Sequence, residues 1–370
     1  MFTSINNWID GLSAMQQFAL FSGVKILGVF SVLMTSVAYA VWVERKVAAA
    51  IQDRVGPNRA GPFGLLQPAC DGIKSFLKED FTPDHVRKVY FWLAPAIAMI
   101  PALLTVAVIP FGSTMGAQKM VIADLNVGIL YTFGIVSLGV YGIVLAGYAA
   151  NSKYPFLGGI RSSAQLISYE LAMGLSVIPI FLWVGDLNLG QVVTTQTGFV
   201  SWLPDMFGPV RVPNWLFFQS PMLALSFCIF LVSAFAETNR TPFDLPEAEQ
   251  ELAGGYNIEY SSIKFALFFM GEYANMIAAS AMMVTLFFGG WTLPWFGLDQ
   301  AATSVLGGLL HIGIFFGKVV AFVFIIIWVR WMWPRFRYDQ LMDLGWRRFM
   351  PLALVNIVVT AIWLWWRSQS

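Results

Sequence analysis

LLHIGIFFGKVVAFVFIIIWVRW, residues 309–331, carries two charges, Lys318 and Arg330, in an otherwise apolar run. An α-helix rises about 1.5 Å per residue, so about 20 such residues cross a bilayer core of roughly 30 Å. The run is too long for a buried strand and too apolar all round for a soluble surface helix. Seven further runs of this kind lie near 18–43, 91–112, 127–150, 162–185, 215–236, 263–291 and 348–366. Unpaired backbone groups are costly in lipid, so helices are the default for each. The expected fold is an all-α polytopic membrane protein with about eight transmembrane helices, a single integral membrane domain over residues 1–370. Composition agrees: 58% of the chain is hydrophobic and 12% is charged, where a soluble domain carries about 25% charged residues.

The same composition excludes several functions. Two cysteines, Cys70 and Cys228, and two histidines, His85 and His311, offer no disulfide framework and no haem or zinc site. An iron–sulfur cluster usually takes about four thiolates. No glycine-rich fingerprint stands between a strand and a helix, which leaves nucleotide binding unsupported. A net charge of +1 gives no field to attract nucleic acid.

Sidedness follows from the basic residues. The loops after spans 1, 3, 5 and 7 hold most of the 22 Lys and Arg residues, including Arg45, Lys46, Arg54, Lys74, Lys153, Arg161, Arg240, Arg335 and Arg347. Lys119, Arg211 and Arg367 fall on the other side, and Lys25 and Lys318 lie within spans. Basic loops stay cytoplasmic, so both termini are expected in the periplasm. Ala38-Tyr39-Ala40 resembles a signal-peptidase site, but Asp10 precedes the first run, no Lys or Arg comes before Lys25, and many basic residues follow. The expectation is a retained first span. Pro95, Pro101, Pro179 and Pro221 fall within spans and are expected to bend them.

Residues 64–80 do not span. Leu65, Leu66, Ala69, Cys70, Ile73, Phe76 and Leu77 recur at helical spacing, opposite Gln67, Asp71, Lys74, Ser75 and Lys78. This predicts an amphipathic helix at the cytoplasmic surface, resting on lipid or on protein.

Acidic residues within spans usually mark a pathway. Glu170 in span 4 and Glu272 in span 6 each lie eight or nine residues from the cytoplasmic end, and Glu237 closes span 5 at that side. Burial and like charge favour the neutral form of a carboxyl, which suits such groups to proton exchange. The plainer alternative is a structural ion pair with Lys25 or Lys318. Between Glu237 and Tyr260 lie Glu237, Asp244, Glu247, Glu249, Glu251 and Glu259 against Arg240 alone. Interleaved Phe243, Leu245, Leu252 and Tyr256 make a packed coupling loop a better reading than a solvated one. Pro246 is placed to open a short helix there.

Several motifs resemble one family, the membrane-embedded H subunits of respiratory complex I. They are Glu44-Arg45-Lys46, Arg54-Val55-Gly56-Pro57-Asn58, Gly61 to Gln67, Ala123 to Asn126, Asn151 to Tyr154, Gln165 to Glu170, Glu237 to Glu249, Gly254 to Tyr260 and Gly271-Glu272-Tyr273. The resemblance covers nearly the whole chain from about residue 18. It implies a multi-pass protein of the bacterial inner membrane, joining hydrophilic and membrane arms. Quinone would be the substrate, entering between the first span, the surface helix and the sixth span, and this chain alone would bind no metal, flavin or nucleotide. Glu44, Arg45, Asp71 and Lys153 match positions at the quinone chamber or its opening. Glu170, Glu237 and Glu272 match a proton path, and Asp244, Glu247, Glu249 and Glu251 an acidic coupling loop. Implied partners are hydrophilic-arm subunits, including the one bearing the terminal iron–sulfur cluster, small and antiporter-like membrane subunits, and lipid. Quinone reduction would then change the protonation of these acids and drive proton movement in the neighbours. A self-contained ion transporter and a passive anchor are the rival readings.

Overall fold

The computed structural model describes residues 13–115, 118–200, 211–244 and 255–369. Its helices are α1 Ala14–Ile51, α2 Gln67–Leu77, α3 Lys88–Thr105, α4 Gly128–Ala149, α5 Lys153–Val184, α6 Leu189–Thr194, α7 Leu216–Gln219, α8 Pro221–Glu237, α9 Ser262–Phe287, α10 Val305–Met332, α11 Tyr338–Asp343 and α12 Met350–Gln369. A π-helical turn, Leu344–Phe349, joins the last two. Thr114–Met115 and Gln118–Lys119 form a small antiparallel hairpin. The protein is an all-α polytopic membrane protein. Among the described residues seven helical segments are long and apolar enough to cross a bilayer, and α10 turns Leu306, Leu309, Phe316, Val320 and Trp328 outward.

The fifth expected span divides in two. Ser220 is extended, at φ −157° and ψ 144°, and its hydroxyl accepts the Met222 N–H at 3.2 Å. Pro221 therefore starts α8 rather than bending a longer helix, at a position where its missing N–H costs nothing. The 17 residues of α8 reach about 25 Å, short of a full bilayer core. Two other helices outrun the apolar stretches that predict them. α1 continues to Ile51 and α5 begins at Lys153, because backbone hydrogen bonding does not stop where lipid contact does. Pro95 and Pro101 lie inside α3, and Pro179 inside α5.

α3, α4, α5, α8 and α9 form the central bundle, with α1 and α10 against the outer side of α9 and α12 against α5 and α8. Small residues let the backbones approach. A Cβ added at Gly142 on α4 would lie 2.6 Å from the Ala98 amide nitrogen of α3. Arg45, Lys153, Arg240 and Arg330 lie at one end of the bundle, the basic end. The last turn of α12 reaches the other end, where Arg367 lies 5.7 Å from the Trp183 ring near the close of α5.

α2 lies across the basic end and buries none of its residues in the chain. Ile73, Phe76 and Leu77 are exposed. Its polar side is tied down: Arg45 meets Asp71 at 2.6 Å, and the Ser262 hydroxyl donates to the carbonyls of Ser75 and Lys78, each at 2.9 Å. The turn into this helix uses Gly64 at φ +77°, where a Cβ would sit 2.2 Å from the Pro57 carbonyl oxygen; only glycine fits.

Candidate functional site

α9 is the wall between two cavities. The larger, about 690 Å³, is framed by α1, α2, α9 and the end of α10. Met34, Val37, Trp42, Phe76, Phe269 and Met270 make its apolar sides, and its polar end holds Glu44, Arg45, Asp71, Arg240, Tyr273 and Arg330. That mixture, apolar walls with a few converging polar groups, is the usual make-up of a ligand pocket.

Glu44 organises the polar end. It is 7% exposed, so its charge must be matched. Arg330 of α10 bonds to Oε1, the Tyr273 hydroxyl of α9 donates to Oε2 at 2.7 Å, and Arg240 Nη1 stands 3.7 Å from Oε2. The Arg240 guanidinium lies 4.1 Å from the centre of the Tyr273 ring, a stacking that arginine's planar head allows. One carboxylate thus joins α1, α9, α10 and the turn after α8. That turn is itself fixed by Gln165, whose amide donates to the carbonyls of Ala236 and Phe243, each at 2.8 Å.

The smaller cavity, about 40 Å³, lies within the central bundle. Glu170 of α5, Glu237 of α8 and Glu272 of α9 all line it, with Asn239, Tyr256 and Asn275. The Ser137 hydroxyl donates to Glu170, and the Tyr256 hydroxyl to Glu272 at 2.9 Å. Oε2 of Glu237 is buried without a hydrogen bond to any described residue. A further void of about 30 Å³, reaching Thr105 and Thr132, shares Val136, Glu237 and Asn275 with the first. One water takes about 10–15 Å³ of such space, so the first void has room for about three or four and the second for about two or three. Three carboxyls around hydratable space can exchange protons with one another through water.

Two pairs of neighbouring residues face opposite ways. On α9, Glu272 lines the small cavity and Tyr273 the large one; in the turn after α8, Asn239 lines the small cavity and Arg240 the large one. Adjacent helical residues project about 100° apart, and the positive φ of Asn239, 48°, turns the loop sharply.

The structure groups most of the expected site residues. Glu44, Arg45 and Asp71 line the large cavity, and Glu170, Glu237 and Glu272 the small one. Lys153 lines neither; it is the exposed first residue of α5. Asp244 is buried, 3.4 Å from Arg335 Nη2. Glu247, Glu249 and Glu251, with Pro246, lie outside the described residues. The ion-pair alternative for the buried acids is not what the lysines do: Lys318 donates to the carbonyls of Phe288, Gly290 and Thr292 at 2.7–2.9 Å, and Lys25 to that of Val121 at 3.4 Å. Arg240, Tyr256, Tyr273 and Arg330 line these cavities without being among the expected site residues. Arg240, the lone base of an acidic stretch, and Arg330, a charge near the end of an apolar run, were the signals available in the sequence.

Comparison with known proteins gives a consistent answer. The family model described as NADH dehydrogenase matches residues 24–361. The chain is 47% identical over 351 residues to the NADH-quinone oxidoreductase H subunit 1 of Cytophaga hutchinsonii, covering 93% of this chain and 96% of that protein. It is 46% identical to the H subunit 2 of the same enzyme in Koribacter versatilis, covering 94% and 98%. Identity to the corresponding H subunit of Rhodospirillum rubrum is 47%, covering 91% and 92%.

Proposed function

This chain belongs to the NADH dehydrogenase family, among the H subunits of multisubunit NADH-quinone oxidoreductases, and we propose that its large cavity admits quinone and its small one relays protons. The observation that carries the reading is the shared wall: a largely apolar cavity with a polar end and a three-carboxylate cavity lie on opposite faces of α9.

An isoprenoid quinone reaches the protein from the bilayer. The gap between α1, α2 and α9 offers it apolar walls first and hydrogen-bonding groups last. Reduction by two electrons from the hydrophilic arm makes an anionic or protonated headgroup. The Glu44–Arg240–Tyr273 array feels that change of charge, since fields act strongly where water is excluded. Arg240 and Tyr273 adjoin Asn239 and Glu272 in the chain, so a shift at the array moves groups that line the carboxylate cavity. Glu170, Glu237 and Glu272 then exchange protons, and the change passes to neighbouring membrane subunits. By their place in the sequence, Asp244, Glu247, Glu249 and Glu251 form the acidic stretch that couples quinone chemistry to the carboxylates, and Lys153 belongs to the face under the hydrophilic arm. Basic residues favour the cytoplasmic side, and in this reading the basic end faces the cytoplasm and both termini face the periplasm of a bacterial inner membrane. Quinone is the substrate, and the metals and flavin reside in partner subunits, one of which bears the terminal iron–sulfur cluster.

Narrowing the gap tests the first half. Ala38 and Ala266 both line it. A38W or A266W in the assembled complex should raise KM for a long-tailed quinone at least about tenfold while sparing a short-tailed analogue. Equal kinetics with both quinones, in wild type and variants alike, would remove the portal from the proposal.

A further inference from the structure

A second large cleft runs along α1 in the opposite half of the molecule, about 500 Å³ in volume, between α1, α9, α10 and the segment around Met120. Its walls are almost wholly apolar, among them Val29, Leu33, Ile109, Ile277, Ile312 and Phe315. The charged residue in its lining is Lys25. The volume falls within the roughly 300–1,000 Å³ of ligand sites.

Position along α1 gives this lysine meaning. Nineteen residues separate it from Glu44 on one continuous helix, about 28 Å at 1.5 Å per residue. That is the thickness of a bilayer core, roughly 30 Å. Taking Glu44 and Arg45 as one headgroup boundary sets Lys25 near the other, inside the apolar run but close enough for its flexible stem to carry the ammonium up to lipid phosphates, with its cleft running inward beside the acyl chains. The internal contact it makes is a long one, 3.4 Å to the Val121 carbonyl oxygen. Among the described residues no carboxylate lies within ion-pair distance of it; the nearby Lys119, by contrast, is matched by Asp124 at 2.6 Å. A cation with no carboxylate partner among the described residues, above an apolar slot, is complementary to a phosphate that carries acyl chains.

We infer that this cleft is a binding site for a structural glycerophospholipid of the leaflet opposite the quinone portal, its phosphate on Lys25 and an acyl chain between α1 and α9–α10. The inference is independent of the quinone reading. It also accounts for how α1, exposed along much of its length, is steadied away from Glu44: the lipid fills the space between this helix and the bundle.

The test uses the whole complex, purified in mild detergent and exchanged into a lipid-free one. Phospholipid retained per complex is measured by mass spectrometry for wild type, K25R, K25M and the cleft-filling variant A281W. The expected result is one tightly held phospholipid in wild type and K25R. Retention should fall about tenfold in K25M, the size of one charge-assisted contact, and be lost in A281W. Equal retention in all four overturns the site. A second measurement works without those variants: p-benzoylphenylalanine placed at Val29 should, on illumination, give an adduct with phospholipid mass. An adduct with quinone, or a cross-link to a neighbouring protein of the complex, overturns the assignment.

Discussion

Removing the Glu44 carboxylate by E44A should disable the quinone portal without disturbing the hydrophilic arm. The carboxylate is the shared partner of Arg330, Tyr273 and Arg240 in a buried setting. At 3.7 Å and an effective dielectric of about 20, its attraction for Arg240 alone is about 4 kcal/mol before solvation is counted. Stripping one partner from a buried ion pair costs about 3–5 kcal/mol, because the cations left behind have lost both water and counter-charge. The neighbouring Arg45–Asp71 pair, which ties α1 to α2, cannot compensate: it is partly exposed and contributes about 1 kcal/mol at most. Two things follow: the melting temperature of the complex falls, and KM for quinone rises at least about tenfold as Arg240 and Tyr273 lose their anchor. E44Q, which keeps an acceptor for Tyr273, should fall between E44A and wild type. The assay compares NADH oxidation by quinone with NADH oxidation by an artificial acceptor that takes electrons from the hydrophilic arm; the second rate reports assembly and should hold. An assembled E44A complex with unchanged melting temperature and unchanged quinone kinetics would refute the reasoning.

Glu272→Gln should lower coupled quinone reductase activity severalfold and slow proton uptake into vesicles, with normal assembly on native gels; unaltered pumping and turnover would count against the relay. Because Glu170 and Glu237 share one small cavity, the E170Q/E237Q double variant should lose much less than the sum of the single losses, a coupling of about 0.5–3 kcal/mol in a double-mutant cycle on turnover. Gly142→Val pushes a branched side chain into the α3 backbone and should cost about 1–3 kcal/mol, read as a lower melting temperature and less assembled complex. Asp124, in the loop before α4, bonds to Lys119 at 2.6 Å and Asn188 at 2.8 Å. These bonds, Lys119 first, hold its carboxyl below the usual aspartate range. A depressed folded value means the stabilisation is complete above the unfolded value, about pH 4, and disappears as pH falls through the folded one. D124N should therefore lower stability at pH 7 by less than about 1 kcal/mol, since the site is partly exposed, and that difference should shrink in melts taken progressively below the unfolded value.

The spans were legible because lipid leaves little choice: long apolar runs become helices. What the runs did not encode is where helices end, since α1 and α5 continue through polar residues that no longer touch lipid. The break at Ser220 had only Pro221 to announce it, and proline serves equally as a bend or a start. Acids at matched positions in three runs pointed to a common cavity, and Glu170, Glu237 and Glu272 do line one. The Glu44 array was illegible for a different reason. Its members come from residues 44, 240, 273 and 330, and no local spacing reports which of many arginines folds inward. Lys153 shows the converse: a residue noticed through its motif stays on the surface of the chain. The acidic loop from Glu247 to Glu251 falls beyond the described residues.

The division of labour along α9 carries a mechanical corollary. Glu272 and Tyr273 are consecutive on a rigid rod, so any turn of that rod about its long axis swings both side chains through the same angle. A rotation that draws Tyr273 towards a ligand on its side sweeps Glu272 round on the other. Like a crank with two arms, the helix converts a pull at one bearing into displacement at the second, over no more than its own width of about 10 Å.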